Sequence, residues 1–221
     1  MAFYRKRNYA RRFKKRYKYP VKRYIHRRFK RYQKRGIFAR ELKYLDNLHT
    51  GAGGLGNGPA NWSQYYLTGV QQGLNVFNRT GDSVNGRSIN ITFELRRNQA
   101  GGPVQRCRCM VICYPQAAGA QPTGGDIFQY GSQFQGPRNL LWQGFFKILA
   151  DKTVTLDVAK SNMRTIKIKR KLKGRRMTYL ANGGVYGDQM FNSVFLVVWS
   201  DQTANQPTID NVAHRFYYTD M

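Results

Sequence analysis

The sequence predicts an all-β fold, two antiparallel sheets packed as a sandwich or closed as a barrel, carried behind a cationic arm. Three features predict it. Short runs alternate apolar and polar side chains, the connections between them are rich in Gly, Pro and Asn, and amphipathic helices of ordinary length are almost absent. The chain has 221 residues with 38 Lys and Arg against 11 Asp and Glu, a formal net charge of +27. Eighteen of the cations fall in residues 1–40, which hold no carboxylate, so residues 41–221 carry 20 basic and 11 acidic groups. About 180 residues are enough for one domain with a sizeable core.

The arm, residues 1–40, is too densely charged to collapse on itself and needs a polyanion. Its cations are Arg5, Lys6, Arg7, Arg11, Arg12, Lys14, Lys15, Arg16, Lys18, Lys22, Arg23, Arg27, Arg28, Lys30, Arg31, Lys34 and Arg35, with Arg40 at its end. Ten aromatics lie between them, Tyr9, Phe13 and Tyr17 recurring every fourth residue until Pro20 breaks the pattern. Cations that pair with phosphates and rings that stack on bases suit single-stranded nucleic acid. The plain alternatives are a solubilising tail or a nuclear-import signal read by a host import receptor; import and packaging are compatible. Alone in solution the arm is expected to be disordered.

The first strand is expected at residues 41–46 (ELKYLD). The Gly-rich loop after it places Gly51, Gly53 and Gly56 in a literal GxGxxG, but Asn57-Gly58-Pro59 follows where a helix would have to begin, so dinucleotide binding is rejected. A second strand is read at 63–70, then a loop to 86. The clearest strand is 87–97, with Ile89, Ile91, Phe93 and Leu95 on one face and Ser88, Asn90, Thr92 and Glu94 on the other. Residues 105–114 form the next, ended by Pro115. Residues 116–139, rich in Gly, Pro and Gln, are long for an internal loop and suggest a surface or assembly role.

Strands at 145–150 and 153–157 are read across an Asp151-Lys152 turn. In 165–173, Ile166, Ile168 and Leu172 take one face and Lys167, Lys169, Lys171 and Lys173 the other. After a linker (174–189), the apolar run 192–200 suits a central strand buried on both sides, and 212–219 is the last.

Cys107, Cys109 and Cys113 share one strand face with Val111, a geometry that argues against disulfides and for small core-facing hydrophobes. The three histidines, His26, His49 and His214, have no ligand spacing to these thiols, so no metal or cofactor is expected. The carboxylates are scattered and GxSxG, HExxH, paired acids and phosphate loops are missing, which reads as not an enzyme. Neither a signal peptide nor an apolar membrane span is read, so membrane insertion is not expected. The lysines at 167, 169, 171 and 173, with Arg175 and Arg176, are a candidate second nucleic-acid surface; the alternative is a solvated face or a protected edge. Arg96, Arg97, Arg106 and Arg108 read equally as nucleic-acid contacts or inter-subunit salt bridges.

An acid-free basic arm followed at once by an eight-strand β domain resembles the capsid proteins of small icosahedral viruses. Residues 72–91, QGLNVFNRTGDSVNGRSINI, sharpen the likeness: a Gln-Gly, an Arg-x-Gly-Asp and an alternating strand look like the corresponding segment of satellite-tobacco-necrosis-virus-like jelly rolls. Such capsids also occur in circular Rep-encoding single-stranded DNA viruses of the circovirus-like kind. The resemblance implies an eight-stranded viral jelly roll with BIDG and CHEF sheets over 41–221. B falls at 41–46, C at 63–70, D at 87–97, E at 105–114, F at 145–150, G at 165–173, H at 192–200 and I at 212–219; 153–157 is then an extra strand or a continuation of F. It further implies a homo-oligomeric T=1 shell of 60 copies, the arm inside on a single-stranded genome (DNA favoured over RNA), a virion as final location and the host nucleus as site of assembly. The reading from another class is a cellular basic-tailed β-domain nucleic-acid-binding protein, ribosomal or chromatin-associated. A cupin-like enzyme or lectin is disfavoured, since the strands hold no His-rich motif.

Overall fold

Alternating strands bury one face only if a second sheet covers it, and the chain does this with ten strands. A computed structural model describes residues 41–50, 53–75, 77–115, 121–130, 134–142 and 144–221; the readings made on residues 1–40 lie outside the described residues. The strands are β1 (Lys43–His49), β2 (Gly53–Gly54), β3 (Ser63–Tyr66), β4 (Ser83–Arg96), β5 (Val104–Tyr114), β6 (Lys147–Asp157), β7 (Met163–Tyr179), β8 (Gln189–Phe191), β9 (Ser193–Ser200) and β10 (Thr208–Asp220). One sheet has the order β1-β10-β4-β7-β8, with β2 against the start of β10, and the other β3-β9-β5-β6. With β1, β3, β4, β5, β6, β7, β9 and β10 lettered B to I, these are BIDG and CHEF, antiparallel throughout. The fold is the eight-stranded jelly roll.

The core between the sheets follows from the alternation. Ile89, Ile91, Phe93 and Leu95 of β4 and Ile166, Ile168 and Leu172 of β7 point inward from one side. Cys107, Cys109, Val111 and Cys113 of β5 meet them from the other, fully buried and unbridged. Each large apolar side chain removed from water contributes about 1.5–3 kcal/mol, so this face is the main stabilising term.

The structure corrects several boundaries, and bulges explain most of them. β7 runs to Tyr179, six residues past the expected end, because Lys173 (φ 56°) and Gly174 (φ 72°) adopt left-handed backbone and absorb a register shift against Gly86 and Ser88. Its extension pairs Arg176 and Met177 with Asn85 and Val84, so β4 starts at Ser83. β10 starts at Thr208; Asn211 (φ 48°) sits in a second shift that lets both Ile209 and Val212 face the core, which spoils the simple alternation. β1 lies at Lys43–His49, set by pairing with β10 as far as Val212. β3 ends at Tyr66, where the chain leaves the sheet; Leu67 and Val70 are buried all the same. β6 is one strand through Asp151-Lys152, so the turn expected there is absent and the continuation of F is what occurs. The ladder holds Asp151 opposite Met110, one side of a shift between Val111 and Ile112.

The described parts of the long connection between β5 and β6 are packed on one side only: Ile127 and Phe128 are buried, while Tyr130, Leu140 and Leu141 stay exposed at the surface. Its α1 helix (Gly124–Ile127) opens with the Thr123 amide and hydroxyl both donating to the Asp126 carboxylate at 2.8 Å. Ile127, Phe128 and Phe146 are buried against Met110, Ile112, Phe195, Val197 and Trp199 on the outer face of CHEF. Hence β9 is buried along its whole length, as its unbroken apolar run suggests.

Two polar groups inside this frame stand out. Arg79, with no exposed surface, donates from Nε to the Val70 carbonyl at 3.1 Å, from Nη1 to Gly81 O and from Nη2 to Ala181 O, and lies 4.4 Å above the Tyr179 ring. It clamps the segment before β4 to the end of β7. His214 and His49 stack with centroids 5.5 Å apart and planes 16° from parallel, His49 also lying 5.5 Å from the Tyr65 ring of the opposite sheet. His214 is 4 % exposed, and neither of its ring nitrogens makes a hydrogen bond of good geometry among the described residues.

Candidate nucleic-acid interface

The period of β7 that buries Ile166 and Ile168 turns Lys167, Lys169 and Lys171 outward, and Lys173 joins them at the bulge; all four are exposed. None of the four has a carboxylate within ion-pair distance among the described residues. The ladders then fix what lies beside them. Lys171 continues across the sheet to Ser88, Tyr217 and Tyr44, Lys169 to Asn90, Arg215 and Asp46, and Lys167 to Thr92, Ala213 and Leu48.

These rows give the outer BIDG face a relief. β4 presents only short polar side chains, Ser88, Asn90 and Thr92, so it forms a floor. A shallow trough of about 660 Å³ lies over it, walled by Lys167 and Lys169 on one side and by Arg215 and Tyr217 on the other. The second wall is an aromatic ridge: Tyr44 lies 5.3 Å from Phe77 edge-on and 6.4 Å from Tyr217, with the Arg215 guanidinium 4.7 Å above the Tyr44 ring. Arg215 is held by a two-pronged pair with Asp46, at 2.5 and 2.6 Å. That pair pulls the Asp46 carboxyl below its usual range, chiefly by hydrogen bonding, and pushes Arg215 up. Both are well exposed, so the pair orients more than it stabilises. The face keeps four uncompensated lysines; Glu94 lies one row beyond Thr92, opposite Thr165.

The four arginines read as possible contacts are occupied within their own chain. Arg96 pairs with Asp210 at 3.5 Å and Arg106 with Asp201 at 3.0 Å, while Arg97 donates to the Gly102 carbonyl at 3.0 Å. Arg108 grips both oxygens of Asp151 at 2.9 and 2.7 Å, and its guanidinium lies over Phe128 and Trp199 at 5.2 and 5.4 Å. It is a fastener between the CHEF sheet and the connection covering it. Arg175 is half-buried beside the bulge and Arg176 exposed. The arm residues named above, from Arg5 to Arg35 with Tyr9, Phe13 and Tyr17, lie outside the described residues.

Sequence reasoning placed the lysines on an outward face, where they lie, and passed over the ridge. Tyr44 and Tyr217 stand 173 residues apart, and only the β1–β10 register makes them neighbours. A weak signal existed: Tyr217 is two residues from Arg215, hence on the same strand face.

No family model matches the chain, and no curated protein matches it. Among solved structures it is similar to a BFDV capsid protein, crystallised as a 60-mer, at 10 % identity over 81 % of this chain and 93 % of that one, with a TM-score of 0.33. It is also similar to the VP2 subviral particle of infectious bursal disease virus, at 12 % identity over 80 % of this chain and 41 % of that one, with a TM-score of 0.11.

Proposed function

We propose that this chain is the capsid protein of a small single-stranded DNA virus, with a jelly-roll body that closes into an icosahedral T=1 shell of 60 copies and an arm that gathers the genome. The observation that carries the reading is the union, in one chain, of a jelly roll and an acid-free run of 40 residues with 18 cations. Sixty chains at +27 each supply roughly 1,600 positive charges, about 1,080 of them on the arms, enough to offset a genome of the order of a thousand or more phosphates. Phosphate contacts position without reading sequence, so packaging is largely non-specific. The loops support self-association: Leu140 and Leu141 stand 74 % and 89 % exposed on one 3-10 turn, and Leu74 fully so. The arm doubles as the signal for a host import receptor, which places assembly in the host nucleus and the product in the virion. The role is structural, with no catalysis.

The test is to express the full chain and a form lacking residues 2–35, and to image both. The full chain is expected to give closed shells of about 20 nm that carry nucleic acid, the truncated form shells that are empty. Affinity for a single-stranded oligonucleotide should fall by at least about 10³-fold between 50 and 200 mM salt. A body that stays monomeric under all assembly conditions, or truncated shells that fill equally well, would overturn the reading. The ridge of Tyr44, Phe77 and Tyr217 favours a second reading, a cellular nucleic-acid-binding protein with a basic tail. That reading predicts a monomer in the same images.

A further inference from the structure

We propose that the outer BIDG face holds one extended single strand of nucleic acid, its phosphates along Lys167, Lys169 and Lys171 and its bases laid across Ser88, Asn90 and Thr92 toward Tyr217 and Tyr44. The inference rests on the genome-packaging reading and assigns it a second site on the rigid body, distinct from the arm.

Three features of the face carry it. Outward residues on a strand recur every second position, so successive lysines stand about 6.6 Å apart, close to the step between successive phosphates along an extended strand. Two strand spacings, about 9.6 Å, separate the Lys171 row position from that of Tyr217, which is the reach from a phosphate to the far edge of its base. The intervening floor is low and polar, and Asn90 and the hydroxyls of Ser88 and Thr92 offer donors and acceptors to base edges. At the Lys171 row the far wall is aromatic, Tyr217 beside Tyr44, with the Arg215 guanidinium over the Tyr44 ring and fixed by Asp46, so a base there meets a held stacking surface. Stacking needs an open π-face, which paired bases in a duplex do not offer along this wall; the site therefore takes single strands.

Charge sets its limits. Among the described residues the carboxylates on this face are Asp46, committed to Arg215, Asp210, paired with Arg96, and Glu94 opposite Asp210. The last two end the trough one row past Thr92 and repel a phosphate chain there. Four lysines remain uncompensated, and an anionic polymer is the occupant that complements them.

The experiment uses the full-length protein and a 20-nucleotide oligo-dT carrying 5-iododeoxyuridine, irradiated and mapped by peptide mass spectrometry. Crosslinks are expected at Tyr217 or Tyr44 as well as on the arm. The variant K167E/K169E/K171E, altered only at exposed positions, should lower the Tyr217 and Tyr44 crosslinks at least tenfold and leave the arm crosslinks in place. Its salt dependence, log K against log salt, should be shallower by about 2 for three lost single-strand contacts. Wild-type particles that package nucleic acid while crosslinking only through the arm would overturn the inference and leave packaging intact. So would an unlabelled duplex that competes for the Tyr217 crosslink as well as unlabelled oligo-dT does, or a variant with unchanged crosslinks and slope. A full-length chain that binds no oligonucleotide sinks both.

Discussion

Replacing Arg79 by methionine is expected to lower the stability of the body by about 3–5 kcal/mol, read as a shift in the urea midpoint with little change in slope. The side chain is wholly buried, and its fork satisfies the carbonyls of Val70, Gly81 and Ala181 together. Methionine fills similar volume but donates nothing, so the buried Val70 carbonyl loses its partner at about 1–3 kcal/mol and the part-buried Gly81 and Ala181 bonds to a charged donor are lost at about 1–2 kcal/mol each, offset in part by the relief of burying no charge. The Asp82 carboxylate, 3.8 Å away and 83 % exposed, adds little. Lysine should rescue only partly, since a single ammonium cannot span three carbonyls and also cover Tyr179, over which the guanidinium lies at 4.4 Å. A loss below about 1 kcal/mol in the methionine variant would show that the clamp is not what fixes this end of the sandwich. The clamp also accounts for the Arg-x-Gly-Asp at 79–82: Arg79 supplies the fork, Gly81 accepts from it, and the Asp82 backbone carbonyl accepts from the Tyr179 amide at 2.8 Å.

Acid should weaken the body before its carboxylates titrate, by up to about 3 kcal/mol between pH 6.5 and 4. Burial lowers the His214 pKa from 6.5 to about 4, with the neighbouring His49 pushing the same way and the Leu67 carbonyl and Asp46 opposing. His49 is lowered too, mainly by burial, against the Tyr66 carbonyl. The groups packed around the pair are Asp46 and Arg215, committed to each other, and the Tyr65 ring from β3. A histidine with a depressed folded pKa is neutral in both states above 6.5, so its full stability is present there. Below 6.5 the unfolded chain takes up the proton first, and stability drains until the folded form also protonates near 4. The midpoint in urea should therefore fall steadily from pH 7 to 4.5, and H214L should flatten that slope. An equal slope in the variant would locate the acid response elsewhere.

How much of this was legible in the chain depends on whether the information was local. The faces of β4 and the inner face of β7 follow from period-two alternation, and the burial of β9 from its apolar run. The lysine row is the complement of the same pattern. The bulges were barely legible: Asn211 and Gly174 are residue types that tolerate left-handed backbone, but nothing local singles them out among the chain's many Asn and Gly. Lys173 carries no such preference, and sheet pairing on both sides forces the turn. Asp151-Lys152 looked like a turn because two polar residues interrupt apolar runs. Tertiary context overrides this, since Arg108 neutralises Asp151 across the ladder. The packing of Ile127 and Phe128 was hidden by the Gly and Gln around them, and the ridge by sequence distance.

The three thiols of β5 have a use beyond filling space. All have 0 % exposed surface, and burial raises them as acids, Cys107 to about 12, so in the native state there is next to no thiolate for an alkylating reagent to meet. Every covalent label that appears on them counts one occasion on which the two sheets parted. The protein thus comes with its own clock for breathing, readable by mass alone, in free subunits and in any particle they build.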